Sequence, residues 1–201
     1  MADLKEDISY VRRLAEQGRS GPILGGTFFV AAGIVFGVTC FVDWAARLGL
    51  LPISGWGFLT LWLGAFAVFG VVWCVLFFRQ RRFPGKATSA ANAAFGVVWS
   101  ALAVAVFVAL AAIEIVAEVI KTPIVLNAYV PMIFVLYGVA WFTCAAIARR
   151  PWMYWAAAGS FAFSLIMAAL AENKLQVAVM GLALLLLFTL PGLRMVKEEA
   201  L

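Results

Sequence analysis

The chain has 201 residues, of which 66% are hydrophobic and only 12% are charged, and its mean hydropathy is +1.04. A water-soluble domain of this length cannot hide so much apolar surface, so the composition predicts an integral membrane protein solvated by the lipid bilayer. The net charge of +5 does not indicate a nucleic-acid-binding protein, because the Lys and Arg residues stand at the ends of apolar runs, as topology signals do.

The residue types that usually carry chemistry are scarce. Histidine is absent, and the three cysteines lie inside apolar runs at no metal-ligand spacing (Cys40, Cys74 and Cys144). We therefore expect neither a metal site nor a cofactor. Ser160 and Ser164 have no His or Lys base in a recognisable pattern, so no catalytic residue and no enzyme activity are predicted.

The first predicted element is an N-terminal amphipathic helix within residues 1–21. Apolar residues recur there at helical spacing, at Leu4, Ile8, Val11 and Ala15. One interpretation is a helix that lies in the cytoplasmic membrane interface and anchors the first span. The other is a docking segment, residues 4–15, for a cytoplasmic protein partner.

Six apolar runs follow, and each is near or above the roughly 20 residues that cross a bilayer as a helix. They predict an all-α fold, a polytopic bundle of six transmembrane helices in three hairpins over residues 22–197, with a cytoplasmic tail at 198–201. The runs cover about residues 22–46, 54–78, 91–117, 124–147, 152–171 and 175–195.

The distribution of basic residues predicts the orientation. If the N-terminus is cytoplasmic, twelve Lys and Arg residues face the cytoplasm and three face the other side. The positive-inside rule then places both termini in the cytoplasm, as expected for a multi-pass protein of a bacterial-type cell inner membrane.

Two patterns bear on packing. Gly70-Val-Val-Trp73 is followed after seven residues by Arg-Arg, and so is Gly138-Val-Ala-Trp141. This repeat indicates either a duplicated hairpin or two spans that independently meet the same requirements of the membrane interface.

Gly33 and Gly37 form a Gly-x-x-x-Gly motif, which predicts close helix packing, either within the chain or in a homo-oligomer.

Four acidic residues lie toward the ends of the odd-numbered spans that face away from the cytoplasm: Asp43, Glu114, Glu118 and Glu172. Each could simply mark where its helix leaves the lipid, where a charge costs less than at the bilayer centre. Glu114 and Glu118 are one helical turn apart inside an apolar stretch, so their repulsion would favour neutralisation by a cation or by Arg47 or Lys121.

Span four adds a second irregularity at a similar depth. Pro131 cannot donate a hydrogen bond to the carbonyl of Asn127, which leaves Asn127 available to a ligand, a water or a neighbouring helix. Glu114, Glu118, Asn127 and Tyr129, with Asp43 and Glu172 nearby, are therefore candidate ligand-binding residues for a cation or an amine. A structural kink is the alternative.

These patterns leave two functions open. The first is a non-catalytic membrane protein that serves as a scaffold, sensor or accessory subunit for a cytoplasmic partner. The alternative is a small transporter or channel with an outward-facing acidic site. The first is favoured, because the cytoplasmic halves of the six predicted spans lack acidic residues and so offer no continuous polar path.

Overall fold

A computed structural model of the chain describes residues 24–81 and 90–200. These residues form helices, with no strand among them: α1 Gly26–Arg47, α2 Trp56–Arg81, α3 Ala90–Ile120, a 3-10 helix Pro123–Ala128, α4 Tyr129–Ala148, α5 Trp152–Ala169, α6 Leu175–Leu184, a π-helical segment Leu185–Thr189 and α7 Leu190–Glu199. The predicted N-terminal helix within residues 1–21 lies outside the described residues.

Six helical segments are long and apolar enough to cross a membrane, so the predicted all-α polytopic membrane fold is confirmed. The 3-10 helix and α4 make up the fourth segment, and α6, the π-helical segment and α7 make up the sixth. We call the end of the bundle where α1 begins the Gly26 end, and the opposite end, where α1 stops, the Arg47 end.

The two irregular segments lie next to prolines. Pro131 falls in the first turn of α4, where a missing amide costs no helical hydrogen bond. Residues Pro123–Ala128 form a 3-10 helix before it. In the sixth span the π-helical segment Leu185–Thr189 ends two residues before Pro191, whose ring cannot fit against an ordinary α-helical carbonyl.

The first and sixth spans pack together along their length through glycines. A Cβ atom on Gly26 would lie 2.6 Å from the Gly192 carbonyl oxygen, and one on Gly33 would overlap the Thr189 side chain. Gly37 is likewise in contact with Leu185 of the sixth span. The Gly33 and Gly37 face therefore packs against the chain's own sixth span.

An aromatic cluster fills the bundle toward the Gly26 end. Phe29 of α1 contacts the rings of Trp99, Trp141 and Phe188, with centroid separations of 4.6, 5.2 and 5.8 Å. Four spans therefore meet at Phe29. The indole N–H groups of Trp99 and Trp141 have no hydrogen-bond acceptor among the described residues, so ring contacts and apolar burial hold this region.

α2 and α3 are the least buried spans. Among the described side chains of α2 only Ala65 is buried, and α3 buries Phe95, Leu102 and Ala117. α2 packs mainly on α1, while α3 packs on α4 and on the 3-10 helix. Most of the surface of these two spans is thus available to lipid or to another membrane protein.

The repeated Gly-Val-x-Trp motif does not have one structural role. Gly138 is buried beneath the Phe161 ring, whereas a Cβ on Gly70 would meet none of the described residues within 4 Å. Trp141 is fully buried and Trp73 is 43% exposed. The two copies therefore share a sequence pattern but occupy different environments.

Candidate functional site

Asp43 lies in a closed polar cluster between α1 and α2. Its carboxylate accepts a hydrogen bond from the Arg47 guanidinium at 2.5 Å and another from the Trp62 indole at 2.9 Å. Asp43 is only 1% exposed, and the Arg47 guanidinium also sits 5.2 Å above the Phe58 ring. These contacts satisfy the buried charge within the first hairpin and lock α1 to α2.

The two carboxylates of α3 point away from this cluster. Glu118 pairs with Lys121 one turn further along, and both side chains are strongly exposed. Glu114 is also exposed and forms no hydrogen bond or ion pair with the described residues. The two acids on α3 therefore do not form a shared enclosed site with Asp43.

Two of the six candidate residues, Asn127 and Glu172, lie in contact with each other. The Asn127 side-chain amide donates a hydrogen bond of 3.4 Å to the Glu172 carboxylate, so the 3-10 helix reaches the end of α5. Glu172 adopts a left-handed backbone conformation (φ 66°) in the turn after α5. The bond is long and the carboxylate is exposed, so it can accept further hydrogen bonds.

These two side chains stand at one end of an open groove of about 390 Å³. The rest of its lining is apolar and consists mainly of small residues, namely Ile124, Ala128, Pro131, Ala168 and Ala171. We call this surface the α4–α5 groove. It is the feature of the described chain that most resembles a ligand site, because it joins a cavity to a charged group.

Two further contacts fix the walls of the α4–α5 groove. The Ser164 hydroxyl donates a hydrogen bond of 2.8 Å to the Pro131 carbonyl, which joins α5 to α4. The Tyr129 hydroxyl donates a hydrogen bond of 3.4 Å to the Val106 carbonyl of α3, so Tyr129 points away from Glu172. The six candidate residues are thus divided among several places, and only Asn127 and Glu172 line the groove.

The Gly26 end carries a polar cluster that the sequence reasoning missed. The Glu199 carboxylate accepts hydrogen bonds from the backbone amides of Gly25 and Gly26 at 3.0 and 3.1 Å. Its neighbour Glu198 lies 3.4 Å from Arg194 and 3.8 Å from Arg150. The sequence predicts a tail at 198–201, whereas Glu198 and Glu199 belong to α7. No local pattern connects Gly25 with Glu199, which are 174 positions apart.

Comparisons of the sequence with protein families and with curated proteins, and of the chain with solved structures, give no match. The function must therefore be inferred from the residues themselves. Within the described part of the chain, no group of three or more acidic or cysteine side chains is placed to hold a metal ion.

Proposed function

We propose that this chain is a non-catalytic integral membrane protein that acts as a scaffold, sensor or accessory subunit for a cytoplasmic partner. We place it in the cell inner membrane with both termini in the cytoplasm, as the distribution of Lys and Arg favours. The proposed partner binds through residues 4–15, whose apolar positions repeat at helical spacing.

One observation carries this proposal: apart from the Thr189 hydroxyl and four indole N–H groups, the buried polar side chains of the described bundle have hydrogen-bond partners within it. Thr39 and Ser160 each donate to the carbonyl four residues earlier in their own helix, and Ser164 donates to Pro131. Asp43 is held by Arg47 and by an indole. A transport path needs polar groups that are free to exchange partners with a substrate, and these groups are committed to structure.

The aromatic cluster supports the same proposal. Phe29, Trp99, Trp141 and Phe188 occupy the centre of the bundle toward the Gly26 end. A solute that crossed there would have to separate these rings. The transporter alternative has less support, because Asp43, Glu118 and Glu172 each have different partners.

Co-purification of partners with the full-length chain tests this function. We compare a stripe variant, Leu4→Gln with Ile8→Gln, against a matched control, Glu6→Gln with Glu16→Gln, which leaves the apolar stripe intact. The proposal expects a cytoplasmic protein to be lost from the stripe variant and retained by the control. An identical set of co-purifying proteins in all three samples would overturn it.

A second measurement addresses transport directly. Proteoliposomes that contain the full-length chain should show no more uptake of monovalent cations or small amines than protein-free liposomes. Uptake that Glu114→Gln with Glu118→Gln abolishes would replace the proposed function with the transporter alternative.

A further inference from the structure

We propose that the α4–α5 groove binds a phospholipid whose headgroup carries a primary ammonium, with the ammonium on Glu172 and an acyl chain along the groove. This inference does not depend on the scaffold function, because it concerns the Arg47 end of the bundle and involves none of the residues 4–15. It rests on the shape of the α4–α5 groove, on the charge of Glu172 at its mouth and on the exposed apolar residues that extend from it.

The charge at the mouth of the groove favours a cation. The only described contact of the Glu172 carboxylate is the long hydrogen bond from Asn127, and no Lys or Arg among the described residues pairs with it. One carboxylate and one amide supply too few oxygen ligands for a bound Ca²⁺ ion, which takes six to eight. An ammonium group needs only a few acceptors and suits this site better.

The groove also distinguishes between lipid headgroups. A primary ammonium has three N–H donors that a carboxylate can accept. A choline headgroup has none and is typically held by a cage of aromatic rings, and no aromatic side chain lines this groove. Lys174, two residues after Glu172, is exposed and forms no ion pair with the described residues, so it is available to the lipid phosphate.

An apolar track leads from the mouth of the groove toward the middle of the bundle. On α5 the exposed residues Leu165 and Phe161 continue the face of Ala168 and Glu172. On α4 the exposed Val135 continues the face of Pro131. The two tracks lie side by side, since α5 contacts α4 at Ser164 with Pro131 and at Phe161 with Gly138.

This arrangement matches an amphipathic occupant. A headgroup at Glu172 would lie just beyond the end of α5, where the chain leaves the apolar segment, and the acyl chain would cover Ala168, Leu165 and Val135. A second groove of about 360 Å³ runs along Pro52, Ser54 and Thr60 at the same end of the bundle, but it contains no charged residue. The α4–α5 groove is thus the better candidate of the two.

Native mass spectrometry of the full-length chain tests the proposal. Micelles would contain equal amounts of phosphatidylethanolamine, phosphatidylcholine and phosphatidylglycerol. We expect the phosphatidylethanolamine adduct to dominate and Glu172→Gln to reduce this preference by about fivefold, as loss of one charge-assisted hydrogen bond predicts. Glu118→Gln, which removes a carboxylate outside the groove, should leave the preference unchanged.

A second variant keeps the test decisive if Glu172→Gln disturbs the turn. Ala168→Leu fills the groove but preserves both charged residues, and it should weaken the phosphatidylethanolamine adduct to a similar extent. Equal retention of the three lipids by the unaltered chain, or an unchanged preference in both variants, would overturn the proposal. Displacement of the bound lipid by soluble phosphoethanolamine would also overturn it, because the acyl chain would then contribute nothing.

Discussion

Glu199 caps the helix that begins at Gly26. The carboxylate accepts hydrogen bonds from the backbone amides of Gly25 and Gly26, two of the N–H groups that an α-helix leaves without intrahelical partners. Gly25 has no side chain that could do this, and no local cap is present. The end of the sixth span therefore completes the start of the first, and its negative charge faces the positive end of the helix dipole.

Removal of this cap should destabilise the bundle. For Glu199→Ala we expect a loss of about 1 kcal/mol in the free energy of unfolding, the typical cost of deleting an N-terminal cap. The measurement is the thermal or denaturant midpoint of the full-length chain in detergent micelles. Glu118→Ala, which removes an exposed carboxylate from a surface ion pair, serves as the control and should change stability much less. Equal effects of the two substitutions would contradict the capping role.

The glycine contacts between the first and sixth spans predict a second difference in stability. A Cβ on Gly192 would lie 2.7 Å from the Gly26 carbonyl oxygen and 2.8 Å from the Val30 amide nitrogen. Neither backbone atom can move without shifting a helix, so Gly192→Ala should cost about 1–3 kcal/mol, as overpacking usually does.

Gly70→Ala is the matched control for Gly192→Ala. Gly70 also lies inside a membrane-spanning helix, but no atom from residues 24–81 or 90–200 would contact its Cβ within 4 Å. Because alanine is the better helix former, Gly70→Ala should be neutral or stabilise the chain by up to about 1 kcal/mol. Both variants can be compared by the same unfolding assay. A loss of stability in Gly70→Ala as large as that in Gly192→Ala would show that helix approach is not the cause.

The sequence was sufficient for the number of spans and for much of their extent, because a helix in lipid must satisfy its own backbone and remain apolar for a fixed length. The fifth span, predicted at about 152–171, is helical over Trp152–Ala169. The sixth, predicted to end near residue 195, continues to Glu199. Periodicity and hydropathy do not reveal the hydrogen bonds that Glu199, at the end of this helix, accepts from Gly25 and Gly26.

Side-chain partners were harder to predict than spans. Asp43, Glu114 and Glu172 lie at similar positions along their spans, which predicts similar depths in the membrane. Depth does not determine the direction in which each side chain points around its helix axis. The structure directs Asp43 to Trp62 and leaves Glu114 exposed. Asn127 and Glu172 were brought together because the 3-10 helix and the turn after α5 meet, and hydropathy does not encode that contact.

The hydrogen bond between Trp62 and Asp43 predicts a measurable coupling. Trp62→Phe removes an N–H donor from a carboxylate that is almost fully buried, and we expect it to cost about 1.5–3 kcal/mol, the range for hydrogen bonds to charged groups. Trp155→Phe is the control, since Trp155 is 80% exposed and should tolerate the change.

A double-mutant cycle separates this hydrogen bond from the lost ring volume. In the Asp43→Asn background the charge that strengthens the bond is gone, so Trp62→Phe should cost about 1 kcal/mol less than in the unaltered chain. The unfolding midpoint in micelles is measured for the unaltered chain, for the two single variants and for the double variant. Additive effects would mean that the indole contributes through packing alone.

The proposed orientation leads to the last prediction. If both termini are cytoplasmic, as the predicted excess of twelve Lys and Arg residues over three favours, green fluorescent protein fused after Leu201 should fluoresce, because it folds in the cytoplasm but not after export in unfolded form. Alkaline phosphatase inserted between Ser54 and Gly55 should be active, since it requires an oxidising compartment for its disulfides. Both residues lie in the exposed loop between α1 and α2, where an insertion is tolerated. The reverse pattern, a dark terminal fusion and an inactive loop insertion, would place the termini outside and remove the basis for a cytoplasmic partner at residues 4–15.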